Sequence, residues 1–134
     1  MNILVGVDLQ SIDEVEASMR EYGTRYTRRL FTDHELATCG ENPTTAASGL
    51  AARFAAKEAT LKILDTLVVV PSWRSIEVCR LENGRPEIVL HDEAAKLASD
   101  QGVNQISLSL SHGGGFAAAV AVAQIGERCD ESSR

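Results

Sequence analysis

The chain has 134 residues, of which 44% are hydrophobic and 24% are charged, and its formal net charge is −6 with a pI near 5.0. This length suits one domain with one hydrophobic core and is too short for two domains. The charge argues against nucleic acid as the main partner, because phosphate binding needs a basic surface, and no apolar run approaches the roughly 18 residues of a membrane span.

The amino terminus and the cysteines both favour a cytoplasmic protein. The chain begins directly with strand-like sequence and has no basic region followed by an apolar one, as a secretory signal would. Cys39, Cys79 and Cys129 are widely spaced and match no metal-ligand pattern. An odd and sparse set of cysteines suits a reducing compartment.

The first third of the chain predicts one buried strand followed by three short helices. The strand covers Asn2–Leu9, which is rich in aliphatic residues. Ser11–Glu14 forms a capping-box pattern that should start a helix, and Gly23 should end it. A second short helix should include Leu30, and Thr32–Glu35 repeats the capping-box pattern at the start of a third.

A long helix is predicted over Gly49–Leu64. This segment is dominated by alanine, leucine, lysine and glutamate, which have the highest helix propensities. Its apolar stripe consists of Leu50, Phe54, Leu61 and Leu64. The preceding residues leave two readings open, because Asn42-Pro43 suits either a loop or the N-cap and first turn of the same helix.

The second half of the chain predicts a hairpin, a helix and a final pair of strands. Leu67–Val70 is too short to assign to a strand or a packed loop. Asn83-Gly84 is a strong hairpin signal between a strand at Ser75–Leu81 and a returning strand at Pro86–Leu90.

The remaining elements follow in order. Asp92 should cap a helix through Ala98 that closes at Gly102. A half-buried strand with alternating leucine and serine should follow from Ile106, and a glycine-rich turn should lead into the last strand, Phe116–Ile125. We therefore expect a single α+β domain at residues 1–125, with an antiparallel sheet packed on the long helix, and a polar tail at residues 126–134.

Four charged side chains lie on the alanine-rich long helix: Arg53, Lys57, Glu58 and Lys62. Charges on a helix with so little solvating surface need partners or a bound ion. By spacing alone, Glu58 and Lys62 form an ordinary ion pair four residues apart.

The motif around these charges resembles a known family. Arg53-Phe54-Ala55-Ala56-Lys57-Glu58-Ala59 followed by Lys62, together with Gly6-Val7-Asp8-Leu9, resembles the holo-acyl-carrier-protein synthases, the small trimeric type of 4′-phosphopantetheinyl transferase. The resemblance implies transfer of 4′-phosphopantetheine from coenzyme A to a serine of an apo acyl carrier protein, with release of adenosine 3′,5′-bisphosphate. It also implies a homotrimer whose active sites lie between subunits.

The resemblance further implies a magnesium site. Asp8 and Glu58 would hold Mg²⁺, which typically takes one or two carboxylates and fills its other positions with water and phosphate. Glu58 and Lys62 would be catalytic, with Lys62 meeting the phosphates as a point charge. Either Glu58 or a water on the metal would be the general base, and the sequence does not choose between them.

Further positions are implied for the two substrates. Those for coenzyme A are Arg53, Lys57, Lys62, Gly84, Pro86, Ser111 and His112. Where the family has a glycine-rich loop over the phosphates, this chain has Asp65-Thr66-Leu67. The basic group expected to dock the acidic carrier protein is Arg20, Arg25, Arg28 and Arg29. Two alternatives remain: the same chemistry on a specialised polyketide or peptide carrier, and a non-catalytic relative that binds coenzyme A or a carrier.

Overall fold

The structure is a computed structural model and describes residues 2–126. The chain forms, in order, β1 (Asn2–Ser11), α1 (Ile12–Tyr22), α2 (Thr24–Leu30), α3 (Asp33–Cys39), α4 (Pro43–Leu61), β2 (Ile76–Arg80), β3 (Pro86–Leu90), α5 (Asp92–Gln101), β4 (Val103–Gly113) and β5 (Phe116–Ile125). A short 3-10 turn at Trp73–Ser75 precedes β2. Cys129 and most of the predicted tail lie outside the described residues. Within residues 2–126, no helix is long and apolar enough to cross a membrane.

The expected α+β fold is confirmed, but its strands form two separate antiparallel sheets. β5 lies in the middle of a three-stranded sheet between β1 and β4, and β2 pairs with β3 in a two-stranded sheet. α4 packs on the inner face of the larger sheet. Its alanines meet the small inward side chains of β5, such as Ala119 and Ala121, both of which are almost completely buried.

Local capping signals define most of the helix ends. The Ser11 hydroxyl accepts the Glu14 backbone N–H at 3.1 Å, and Thr32 with Glu35 forms a complete capping box at the start of α3. The open question about α4 is resolved, since the Asn42 side chain caps it and Pro43 is its first residue.

Two predicted boundaries differ from the structure. Asp92 was expected to be an N-cap, but His91 occupies that position and Asp92 is the first helical residue, with a positive φ of 47°. The undecided segment after α4 is a loop whose apolar side chains face solvent, with Leu67 93% and Val68 94% exposed. Its amino-terminal end is fixed by Gln101, which accepts the Asp65 N–H at 2.8 Å and donates to the Ile63 carbonyl.

The position of β1 against α4 depends on Gly6. A Cβ added there would lie 1.9 Å from the Ala59 carbonyl oxygen, far inside any van der Waals contact. The strand therefore approaches the helix backbone directly, because position 6 has no side chain. This close approach holds Asp8, two residues further along β1, beside the last turn of α4.

We expect Gly6→Ala to destabilise the fold by roughly 3 kcal/mol, because β1 must move away from α4 to admit the methyl group. Urea unfolding measures the loss. Gly113→Ala is the matched control: Gly113 also lies in a strand, but its added Cβ would meet nothing within 4 Å, so its effect should stay within about 0.5 kcal/mol. Equal stability of the two variants would contradict the close approach at Gly6.

Candidate active site

Three of the predicted site residues, Asp8, Glu58 and Lys62, meet where β1 crosses the end of α4. The Lys62 ammonium donates to the Val7 carbonyl at 2.7 Å and lies 3.5 Å from Asp8 Oδ1. The side chain of Asp8 is only 15% exposed, whereas that of Lys62 is 53% exposed. Helical spacing alone had suggested an ion pair between Lys62 and Glu58. In the structure, Lys62 instead forms its ion pair with Asp8.

The electrostatics of Glu58 depend on the same neighbours. Partial burial raises the pKa of the Glu58 carboxyl above its ordinary value, and the negative charge of Asp8 raises it further, while Lys62 lowers it. The negative charge of Asp8 thus acts on the Glu58 carboxyl, which places the two groups in one neighbourhood. Such a pair is stabilised by a cation between its members.

This donor set fits a small divalent cation that is completed by substrate. Among residues 2–126, no group of three or more His, Cys, Asp and Glu side chains could hold a metal by itself. Mg²⁺ needs only one or two carboxylates when phosphate oxygens and water supply the rest. The partly exposed ammonium of Lys62 stands at the same place, where it can meet those phosphates.

The structure corrects the expectation for Lys57, which was expected to bind coenzyme A. Its side chain is completely buried, and its ammonium lies 2.9 Å from Glu35 Oε1 and donates to the carbonyls of Trp73 and Ile76. Burial lowers the pKa of Lys57, and the charge of Glu35 opposes that shift. Lys57 therefore stabilises the interior and has no free N–H for a nucleotide.

Arg53 is also buried, with 5% of its surface exposed. Its Nη1 donates to the Gly49 carbonyl at 3.1 Å, and its Nε has no hydrogen-bond partner among the described residues. This Nε atom is itself enclosed by the protein, so a nucleotide would have to reach other atoms of the guanidinium. Its assignment to coenzyme A thus remains a proposal.

The remaining coenzyme A candidates do not contact the carboxylates within one chain. Gly84 forms the predicted β2–β3 turn with a φ of 87°, and Pro86 begins β3 in the smaller sheet. His112 pairs with Ala117 of β5, which in turn pairs with Gln10 of β1. Ser111 and His112 are exposed and lie two strands away from β1, about 10 Å at the usual strand spacing.

The four predicted docking arginines divide into two pairs. Arg20 and Arg28 are engaged, Arg20 with Glu16 and Thr44 and Arg28 with Asp33. Arg25 and Arg29 have no ion pair or side-chain hydrogen bond within the described part of the chain. They line a surface cavity of about 460 Å³ together with Tyr22, Tyr26, Leu30 and Trp73.

One contact at the site was not expected from the sequence. The Gln10 amide donates from Nε2 to Asp8 Oδ2 at 2.6 Å. A strand with period two places residues 8 and 10 on one face, so the sequence did contain the signal that Gln10 lies beside Asp8.

Comparisons with known proteins identify relatives of the chain. The family model of the 4′-phosphopantetheinyl transferase superfamily matches residues 4–121. The chain is 43% identical over 119 residues to a holo-acyl-carrier-protein synthase of Moorella thermoacetica, covering 89% of this chain and 91% of that one. It is also similar to a solved Chronobacterium ammoniagenes ACPS–CoA complex, with a TM-score of 0.78, 28% identity and coverage of 95% and 100%. The holo-acyl-carrier-protein synthase of Helicobacter pylori in complex with coenzyme A has a TM-score of 0.74, 26% identity and coverage of 90% and 100%.

Proposed function

The chain belongs to the 4′-phosphopantetheinyl transferase superfamily, and we propose from this that it transfers 4′-phosphopantetheine from coenzyme A to a serine of an apo acyl carrier protein. Holo-carrier protein and adenosine 3′,5′-bisphosphate are the products. The observation that carries the proposal is the cluster of Asp8, Glu58 and Lys62 at the crossing of β1 and α4. The nucleophile is the carrier's serine hydroxyl, so the protein need not supply one of its own.

The residues of the cluster position the pyrophosphate and balance its charge. Asp8 and Glu58 would hold Mg²⁺, which supplies positive charge against the phosphates and the leaving group when bound. Lys62 binds the same phosphates, because its ammonium is about half exposed and already oriented by the Val7 carbonyl. Fixing these groups in place before reaction lowers the barrier chiefly by orientation and electrostatics.

The nucleotide half of coenzyme A would be bound by residues outside this cluster. We assign Arg53, Gly84, Pro86, Ser111 and His112 to it. We leave Lys57 out, because its ammonium is already bonded to Glu35, Trp73 and Ile76. The two-strand separation of His112 from β1 supports a site completed by the β4 strand of a second subunit.

Mass spectrometry of apo carrier proteins tests the function directly. The protein is incubated with coenzyme A, Mg²⁺ and a panel of fatty-acid, polyketide and peptide carriers, with a chelated sample alongside. We expect one carrier to gain phosphopantetheine and the chelator to abolish the gain. Modification of a polyketide or peptide carrier alone would establish the specialised alternative, and modification of none would favour a non-catalytic binder.

The assembly we propose is a homotrimer. Within residues 2–126, no element covers the outer face of the larger sheet, and the aliphatic side chains that β1 places there are largely exposed: Ile3 62%, Val5 62%, Val7 56% and Leu9 59%. Exposed apolar patches of this kind mark protein interfaces. The alanines of α4 and β5 are not part of this face, because they pack against each other inside one chain.

We expect wild-type protein to elute as a trimer in light scattering, and Val5→Asp to dissociate it to monomer, since a buried unpaired charge opposes association. Leu81→Asp is the control, because Leu81 is a 44% exposed aliphatic residue outside this sheet. A wild-type protein that is monomeric and fully active would contradict the trimer, and an intact Val5→Asp trimer would contradict this interface.

Docking of the acidic carrier is assigned to Arg25 and Arg29, because these two arginines are unpaired within residues 2–126 and line an aromatic cavity. Arg25→Glu and Arg29→Glu should each raise the KM for the carrier several-fold at low salt and leave the KM for coenzyme A unchanged. Lys96→Glu on α5 is the single-reversal control. If the control raises the KM for the carrier as much as the two arginine variants, net charge rather than a docking surface determines binding.

A further inference from the structure

Asp8 presents its two oxygens to different neighbours. Oδ1 lies 3.5 Å from the Lys62 ammonium, and the charge of Asp8 also acts on Glu58. Oδ2 accepts a hydrogen bond of 2.6 Å from the Gln10 side-chain amide. One oxygen therefore lies beside Lys62, and the other accepts a hydrogen bond from Gln10.

The Gln10–Asp8 contact lies within a rigid segment of β1. Asp8 pairs with Ala119 and Gln10 with Ala117 across the ladder to β5. The same strand lies directly against the backbone of α4, because Gly6 has no side chain. The Val7 carbonyl, which lies between Gly6 and Asp8 in the strand, accepts a hydrogen bond from Lys62. The backbone is thus fixed, and the remaining freedom of Asp8 is rotation of its carboxylate, which has a broad torsional minimum.

The Gln10 amide removes that freedom. A donor on Oδ2 sets the plane of the carboxylate and leaves Oδ1 available for a cation. Hydrogen bonds from a neighbour to a ligating carboxylate typically contribute 10- to 100-fold to metal affinity. A neutral donor suits this position, because a third carboxylate would repel Asp8 and a second ammonium would compete with Lys62 for it.

We propose that Gln10 is a positioning residue that orients Asp8 for the divalent cation. The inference rests on the proposed function only in taking Asp8 as a metal ligand. It predicts that loss of the Gln10 donor weakens metal binding while the transfer step itself is kept once metal is saturating.

The test measures Mn²⁺ binding by electron paramagnetic resonance with saturating coenzyme A and without carrier, and subtracts the Mn²⁺ bound by coenzyme A alone, because substrate phosphates complete the site. Gln10→Met keeps the length of the side chain but removes its donor, and should weaken the Kd for Mn²⁺ by 10- to 100-fold. Gln10→Asn keeps the amide but shortens its reach, and should weaken the Kd similarly, which provides a second variant if the methionine variant folds poorly. Gln105→Met, at an exposed glutamine of β4, is the matched control and should bind Mn²⁺ like wild type.

A transfer assay distinguishes positioning from a general structural defect. In Gln10→Met, the metal concentration for half-maximal rate should rise by the same factor as the Kd, and the rate at saturating metal should stay within about threefold of wild type. A rate that stays low at saturating metal in a folded variant would overturn the inference, as would a Kd within twofold of wild type.

The failure of the proposed function would look different. If wild-type protein with coenzyme A binds no additional Mn²⁺, or if Asp8→Asn binds it equally well, the assignment of Asp8 as a ligand is wrong and the positioning inference is wrong with it. The proposed transfer reaction is decided separately, by the mass of the carrier. If binding depends on Asp8 but not on Gln10, only the positioning inference is overturned.

Discussion

Glu58→Gln should reduce phosphopantetheine transfer about 100-fold or more while the protein remains folded. The substitution is nearly isosteric, but it removes one of the two charges proposed to hold the cation, which corresponds to several kcal/mol of transition-state stabilisation. Stability should not fall, because the pKa of Glu58 is raised by burial and by Asp8. A carboxyl whose pKa is raised in the folded state opposes folding above that pKa, and glutamine removes this effect.

Transfer to the carrier and thermal unfolding are measured side by side for this variant. Glu41→Gln, at an exposed position in the loop before α4, is the control for the same chemical change and should retain full activity. Wild-type turnover in the Glu58→Gln variant would contradict the assignment of Glu58 as a metal ligand. A variant that loses activity only because its Tm has collapsed would leave Glu58 with a structural role.

Lys57→Met should destabilise the fold by about 3–5 kcal/mol, because it leaves the carboxylate of Glu35 buried without its counter-charge. Glu35 is itself completely buried, and it also accepts the backbone N–H groups of Thr32 and Val78. For a domain of this size, the loss corresponds to a fall in Tm of roughly 10–20 °C. The variant should retain the wild-type KM for coenzyme A below its Tm, because the ammonium does not reach the surface.

A double-mutant cycle and a matched control complete this test. Lys57→Met, Glu35→Gln and the double variant should show a coupling of roughly 1–3 kcal/mol. Lys96→Met removes a lysine whose side chain is 75% exposed, and should change stability by less than about 0.5 kcal/mol. An unchanged Tm together with a raised KM for coenzyme A in Lys57→Met would show that Lys57 does contribute to nucleotide binding.

The sequence predicts the fold well wherever a short segment determines its own structure. Capping residues such as Ser11 and Thr32, and the Asn83-Gly84 turn, act through bonds within a few residues, so their signals are readable without the rest of the chain. The assignment at Asp92 failed because the neighbouring backbone decides the start of that helix: the His91 N–H donates to the Ser75 carbonyl.

The site was predictable only in part. The proximity of Asp8, Glu58 and Lys62 was expected only through the resemblance, since nothing in local sequence indicates that positions fifty residues apart meet. Lys57 was misassigned because its partner, Glu35, lies on another helix and the two become neighbours only when α3 packs on α4. The same holds for the arginines, whose separation into paired and unpaired members depends on Glu16 and Asp33.

Strand β1 carries exposed aliphatic residues on its outer face and Asp8 on the opposite face, at intervals of two residues. A slip of this strand by one position against β5 would exchange the two sets of side chains. Asp8 would then enter the apolar outer face, and Val7 or Leu9 would stand beside Glu58. Such a misfolded chain could neither associate through this face nor assemble the carboxylate pair. Correct pairing of β1 with β5 is therefore a shared condition for the carboxylate pair and for the proposed trimer contact, and a subunit with a slipped strand would lose both at once.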